Sequence, residues 1–245
     1  MSSNTLNTIH KKSNKMKNLK KIFGLLAVLA ISGLTALTFS SCSSDDDDNG
    51  VDIQYTLKVG SNDFTQSEMN AIFDQFKKQG IKESWSERKN PEEIAERIKY
   101  WGIYADVSNA ELLQRTWTGT YTATITANYN GRSTEIKKFT FAPTSGTDDQ
   151  KVEIEYSFKG GSIDGTQTEG NAISNAFRNR GIKESFDEDY PLNRVSTRIA
   201  YWKAYAALVD YELQQKTWSA NYTYTFTAEY NNQTVTIGTY NYKKK

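Results

Sequence analysis

Residues Tyr55–Phe141 and Tyr156–Tyr242 align at a constant offset of 101 positions without a gap, and 37 of the 87 aligned residues are identical. Gly-Ile-Lys-Glu-Ser recurs verbatim at Gly80–Ser84 and Gly181–Ser185, Tyr100-Trp101 returns as Tyr201-Trp202, and Thr116-Trp117 as Thr217-Trp218. Solenoid repeats have periods of roughly 20–50 residues, so this period is too long for one and matches a domain instead. Whatever this chain folds into, it folds into it twice. The sequence predicts two tandem copies, 51–142 and 152–245, joined by the polar, breaker-rich stretch 143–151.

Both copies carry the same order of signals. Val51, Ile53, Tyr55 and Leu57 alternate with polar residues, as do Val152, Ile154, Tyr156 and Phe158, which predicts a half-buried strand. Thr65-Gln-Ser-Glu68 and Thr166-Gln-Thr-Glu169 fit a capping box, so a helix starts there. Gly80 and Gly181 stand where a helix stops in the left-handed region, which makes the shared pentapeptide a helix ending. In the second copy Val195, Ile199, Trp202, Ala206, Val209 and Leu213 form one helical stripe, with Trp202 at its middle and its counterpart Trp101 also expected in the core. In the first copy Ser108 interrupts the stripe, and a bend or frayed stretch is expected near Asp106–Asn109.

From Trp117 to Tyr129, and from Trp218 to Tyr230, aromatic and small residues alternate with a nearly all-threonine face. A half-buried antiparallel strand has this pattern. Asn130-Gly131 and Asn231-Asn232 are tight hairpin turns. A bulge near Lys137 and Gly238 returns the following aromatics to the buried face. The stretches around Ser84–Pro91 and Ser185–Pro191 read as loops. The expected fold is therefore α+β, a β-α-α-β-β unit made twice. Each copy has a three-stranded, mainly antiparallel sheet with two helices on one face.

Upstream of the repeats, residues 1–21 hold six lysines and no acid, and an uninterrupted apolar run follows from Ile22 to Phe39. This order makes a secretory signal, with Met16-Lys-Asn-Leu-Lys-Lys as its natural opening and Met1–Lys15 as an upstream segment. The rival is a membrane-spanning anchor, since 18 apolar residues just reach the spanning range. Phe39-Ser40-Ser41-Cys42 resembles the lipobox of Gram-negative lipoproteins. That resemblance implies removal of residues 1–41, a lipid on Cys42 and membrane attachment through it. Ser43–Gly50, with Asp45–Asp48, resembles the acidic tether that carries some lipoproteins to the outer face of the outer membrane. A solvated spacer explains the same residues.

The remaining composition excludes much chemistry. The one histidine is His10 and the one cysteine is Cys42, so residues 43–245 contain neither. They cannot form a Ser-His-Asp triad, a cysteine nucleophile or a His/Cys metal site. Gly160-Gly161-Ser162 and Gly165 do not have the spacing of a phosphate loop, and a turn explains them. Asp187-Glu188-Asp189 is the densest acidic cluster in either copy, a candidate contributor to a calcium site or to acid/base work, with a solvated loop as the plainer reading. Without residues 1–41 the chain holds 24 Lys+Arg against 29 Asp+Glu, a net of −5 with four negatives in the tether. Nothing there points to nucleic acid.

No cofactor, metal or catalytic residue is expected. The expected function is a lipid-anchored binding or interaction module at the outer-membrane surface, with a glycan or protein ligand. Its surface is expected on the threonine face, from Thr122, Thr124 and Thr126 to Thr223, Thr225 and Thr227, and on the loops at 84–91 and 185–191. The alternative is a carbohydrate-active envelope enzyme working through paired carboxylates. On the lipoprotein reading, Cys42→Ala abolishes incorporation of labelled fatty acid and blocks cleavage before residue 42; continued labelling of the variant refutes it.

Overall fold

The computed structural model describes residues 50–61, 65–143 and 150–245. Cys42, the apolar run before it and Asp45–Asp48 lie outside the described residues. The first copy runs β1 (Val51–Ser61), α1 (Gln66–Lys78), β2 (Ser84–Lys89), α2 (Ile94–Leu112), β3 (Tyr121–Tyr129) and β4 (Arg132–Phe141). The second repeats it as β5 (Lys151–Gly161), α3 (Gln167–Arg178), β6 (Ser185–Pro191), α4 (Val195–Gln214), β7 (Tyr222–Tyr230) and β8 (Gln233–Tyr242). Short 3-10 turns, Pro91–Glu93 and Leu192–Arg194, lead into α2 and α4. The strands form two separate antiparallel sheets of four, in the orders β2-β1-β3-β4 and β6-β5-β7-β8.

The fold is thus α+β in two similar halves, with one correction. Each sheet has four strands and each unit is β-α-β-α-β-β, because the expected loops after the helix-ending glycines are edge strands. Ser84–Lys89 pairs with β1, placing Trp85 opposite Tyr55 and Glu87 opposite Ile53. Ser185–Pro191 pairs with β5 in the same way, Phe186 opposite Tyr156 and Glu188 opposite Ile154.

The first helices start and stop where read, but only the threonine half of each capping box is made, because the glutamate carboxylates go to Tyr121 and Tyr222 instead. Thr65 Oγ1 accepts from the Glu68 amide at 3.3 Å, and Thr166 Oγ1 from the Glu169 amide at 3.2 Å. Gly80 and Gly181 have φ of 81° and 87°, and the amides of Ile81 and Ile182 reach back to the carbonyls of Phe76 and Phe177. Both isoleucines are then buried under the last turn. The expected fraying near Asp106–Asn109 does not occur. Helix α2 is continuous, and the buried Ser108 hydroxyl donates to the Tyr104 carbonyl at 3.2 Å, which satisfies it inside the apolar stripe. Both hairpin turns have positive φ at their two central residues. The bulges fall at Ile136 and Ile237, where the register opposite β3 and β7 skips one residue.

The sequence places Trp117 and Trp218 at the head of its second expected strand, which is β3 or β7 in the structure. They instead precede it, and their indole N–H groups donate to the carbonyls of Leu112 and Leu213 at 3.1 and 3.3 Å. Each indole thereby closes the C-terminal end of α2 or α4, where carbonyls lack helical partners.

Each copy has its own core between its sheet and its helices. The copies join through α2 and α4, which run antiparallel. Tyr201 and Tyr205 donate to Glu111 at 3.2 and 2.6 Å, while Tyr100 packs on Tyr211 with ring centroids 5.9 Å apart. Glu212, the offset counterpart of Glu111, acts in turn on Tyr104, the counterpart of Tyr205, so the joint is approximately a pseudo-two-fold one. Val107 and its counterpart Leu208 are fully buried yet belong to neither core. Trp202 packs against Tyr156 and Phe186 in the core of the second copy. Trp202→Ala is expected to cost about 3–5 kcal/mol in urea unfolding; a loss below about 1 kcal/mol would place the indole outside the core.

Candidate functional site

The residues the two copies share most strictly build two polar networks. Between positions 85 and 97, Glu87 and Arg97 alone keep their identity in the second copy, as Glu188 and Arg198. Strand alternation turns Glu87 toward the helices, between outward Ser86 and Arg88. There its carboxylate accepts from Tyr55 Oη at 2.7 Å, Trp101 Nε1 at 3.0 Å and Arg97 Nε at 2.6 and 2.7 Å. Glu188 does the same with Tyr156 at 2.8 Å, Trp202 at 3.3 Å and a two-pronged Arg198 contact at 2.7 Å on each oxygen. Each guanidinium also lies over the neighbouring tyrosine and tryptophan rings.

Burial opposes ionisation of Glu87 and Glu188, but the hydrogen bonds from arginine, tyrosine and tryptophan and the arginine charge outweigh it. Both carboxyls are held below the ordinary glutamate range. Burial, and then the hydrogen bond to glutamate, push Tyr55 and Tyr156 far above the usual phenol range. With every oxygen occupied and the phenols locked as donors, these groups hold structure.

The second network starts at the helix caps. Glu68 accepts from the Thr118 amide at 2.7 Å, Thr118 Oγ1 at 2.9 Å and Tyr121 Oη at 2.5 Å, and Tyr121 Oη accepts from the Thr65 amide at 2.9 Å. Glu169 takes the Ser219 amide at 2.9 Å, Ser219 Oγ at 2.5 Å and Tyr222 Oη at 2.7 Å. The Tyr121 bond, followed by the other donors, lowers the Glu68 pKa; the Ser219 hydroxyl leads for Glu169. The capping glutamate thus ties the start of α1 or α3 to the segment entering β3 or β7. A raised carboxyl does occur, at Asp210, where burial is the leading cause; Gln214 on the same helix donates to it at 3.3 Å.

The acidic cluster does not converge. Asp187 and Asp189 face outward on β6 while Glu188 faces the core. Among the described residues no group of three His, Cys, Asp or Glu is arranged to hold a metal ion. The glycine-rich stretch is a packing feature. Gly160, next to last in β5, runs so close to β7 that a Cβ there would lie 2.1 Å from the Thr223 carbonyl oxygen, and a Cβ on Gly165 would meet the Tyr222 ring at 2.4 Å.

The outer faces of the sheets are where the copies part. Thr126 and Thr227 lie opposite Thr56 and Ser157; Thr124 and Thr225 lie opposite Lys58 and Lys159. The threonine face is therefore common to both. Beyond it the rows differ. In the second sheet Asp187, Glu155 and Glu229 stand directly side by side across three strands, with Asp189 opposite Glu153 in the next outward row, and all five are exposed. In the first sheet the same positions hold Ser86, Gln54 and Asn128, and a paired Arg88 and Asp52 at 3.3 Å. Sequence reading found Asp187 and Asp189 but not Glu153, Glu155 and Glu229, because the row exists only once the register of three strands is known.

Compared with protein-family models and with curated proteins, the chain matches none of them. Among the described residues, no helix is long and apolar enough to cross a membrane.

A depressed carboxyl pKa adds stability above the unfolded value of about 4.5 and loses it as pH falls through the folded value. Glu188→Gln is expected to cost about 3 kcal/mol at pH 7 by leaving Arg198 without its counter-charge. The variant and the parent should converge below the ordinary glutamate range. Urea unfolding across pH 2–7 measures it, and a constant gap across that range excludes this role of Glu188.

Proposed function

We propose that this chain is a lipid-anchored cell-envelope protein, held through Cys42 at the outer-membrane surface, whose two tandem domains, 51–142 and 152–245, form a non-enzymatic binding module. One observation carries the binding reading. The copies keep corresponding networks inside and place different charge on outer sheet faces of matching register. An outer row of Ser86, Gln54 and Asn128 in one copy and of Asp187, Glu155 and Glu229 in the other gives one scaffold two specificities. Like charges placed directly opposite across strands cost roughly 0.2–1 kcal/mol per pair. Folding gains nothing from that row.

The depressed glutamates support the same reading. Glu87 and Glu188, the inward carboxylates of each half, are saturated by donors and sit in separate copies. Paired acid/base work needs two carboxyls with opposed shifts facing one cleft. Linking two surfaces in one chain raises the effective concentration of the second contact once the first is made.

The test exchanges the outward residues alone: Gln54→Glu, Ser86→Asp and Asn128→Glu in the first copy, with Glu155→Gln, Asp187→Ser and Glu229→Asn in the second. Binding to arrayed envelope glycans and purified envelope proteins is then compared. Ligand preference should move with the exchanged residues while the unfolding midpoint stays within about 0.5 kcal/mol of the parent, as for other surface changes. Preferences indifferent to the exchange, or hydrolysis of an envelope polysaccharide by the parent, defeat the reading.

A further inference from the structure

Each sheet ends in two outer strands, so the described chain presents four sheet edges, β2, β4, β6 and β8. An open edge offers unpaired N–H and C=O groups to any other strand, and proteins blunt it with charge, proline or brevity. Three of the four are blunted. Strand β2 has six residues, among them Arg88 and Lys89; β6 carries Asp187 and Asp189 and ends at Pro191; β4 carries Arg132, Glu135, Lys137 and Lys138.

Strand β8 has none of this. Its ten residues, Gln233-Thr-Val-Thr-Ile-Gly-Thr-Tyr-Asn-Tyr242, contain no charge and no proline. The four charged positions of β4 are here Gln233, Thr236, Gly238 and Thr239. High β-propensity without charge is the composition that favours strand addition. The bulge at Ile237 has its equal at Ile136, so it does not make up for the missing charges. The Gln214 side-chain amide donates to the Asn241 carbonyl at 3.0 Å, which closes the last part of the edge and leaves Gln233–Tyr240.

We propose that β8 is a self-association edge, at which two copies of this chain pair β8 to β8 in antiparallel fashion and join their second sheets into one of eight strands. Charge selects a second copy as the occupant. An uncharged strand meeting its own twin brings no like charges together. Lys243–Lys245 follow β8 directly, and a two-fold antiparallel joint sends the two lysine runs to opposite ends. Pairing with a strand as basic as β4 would set positive residues beside those lysines. The outward Thr234, Thr236 and Thr239 are exposed and continue the threonine face across the joint.

Residues Asn49–Lys245 form one compact unit, so Ser43–Lys245 serves for sedimentation equilibrium. The parent should show a concentration-dependent monomer–dimer equilibrium. Thr236→Glu with Thr239→Lys gives β8 the residues β4 already holds at the same positions, so the sheet accepts them. This double variant should weaken dimerisation by about tenfold or more, with circular dichroism and urea midpoint unchanged. Amide exchange gives a second readout on the parent alone: protection of Gln233–Tyr240 should rise with protein concentration, and that of β4 should not. A parent that stays monomeric through about 0.1 mM, a dissociation free energy weaker than about 5.5 kcal/mol, overturns the proposal. So does a dimer that the double variant leaves intact, or protection of β8 that is independent of concentration.

Discussion

Glu87 and Glu188 are carboxylates pointed into the protein from edge strands, and the rest of each half depends on their being neutralised where they stand. Removing an ion from water costs several kcal/mol, which a single contact does not offset. Here the arginine of the following helix, a phenol from the central strand and the core indole all donate to one carboxylate. The arrangement fixes three things together. It sets the register of β2 and β6, since a slip by one residue would turn Ser86 or Asp187 inward. It sets the rotation of α2 and α4, since Arg97 and Trp101 must both face the strand. It also orients the tryptophan, whose N–H would otherwise be buried without an acceptor. Trp85 illustrates that last cost: its own N–H is buried without a partner, and the second copy holds Phe186 there, stacked on Tyr156 as Trp85 is on Tyr55.

With the helices fixed in this way, each copy has one more apolar strip to cover. The side of α2 that carries Val107 lies off the sheet, and so does the side of α4 that carries Leu208. Each buries the other, and the phenols of Tyr201 and Tyr205 close on Glu111 at the rim. Burial raises both phenols' pKa, the hydrogen bond to Glu111 adding to it for Tyr205, so they stay protonated donors at neutral pH. An isologous joint follows naturally when two copies of one unit meet, because a patch that fits itself needs no second solution. Its consequence is functional. The apolar helical faces are consumed by packing, which leaves the outer sheet faces, the sheet edges and the polar outer sides of α1 and α3 as the free surfaces.

Much of this was legible in the sequence, for identifiable reasons. Period-two alternation gave the three strands of each copy with strong apolar faces, and capping residues gave the start and stop of the first helix. The aromatic phase slip at Ile136 and Ile237 gave the bulges. The fourth strand was missed because its inward face is interrupted by a glutamate: Trp85, Glu87 and Lys89 in one copy, Phe186, Glu188 and Tyr190 in the other. A buried glutamate erases the alternation that pattern reading relies on, and its partner Arg97 lies on the next element. The surviving signal was identity, since Glu87 and Arg97 persist where their neighbours all change. The outward acidic row was illegible for another reason. Its members come from β5, β6 and β7 and become neighbours only through cross-strand register.

That row also shows how a duplicated unit can change one surface without disturbing the other. Successive side chains of a strand point to opposite faces, so Asp187 and Asp189 can be charged while Phe186, Glu188 and Tyr190 stay inward. Inward positions are coupled to helices, caps and rings, and they change together, as where Val59 and Ala123 of the first sheet give way to Gly160 and Tyr224 in the second. Outward positions are coupled only to each other across strands, at a fraction of a kcal/mol per pair. The two faces therefore drift under different constraints. A row such as Asp187, Glu155 and Glu229 sets like charges side by side at a small cost to folding, while the saturated glutamate beneath it holds the strand in register. The neutral row in the first copy shows that the same backbone does not need those charges to fold.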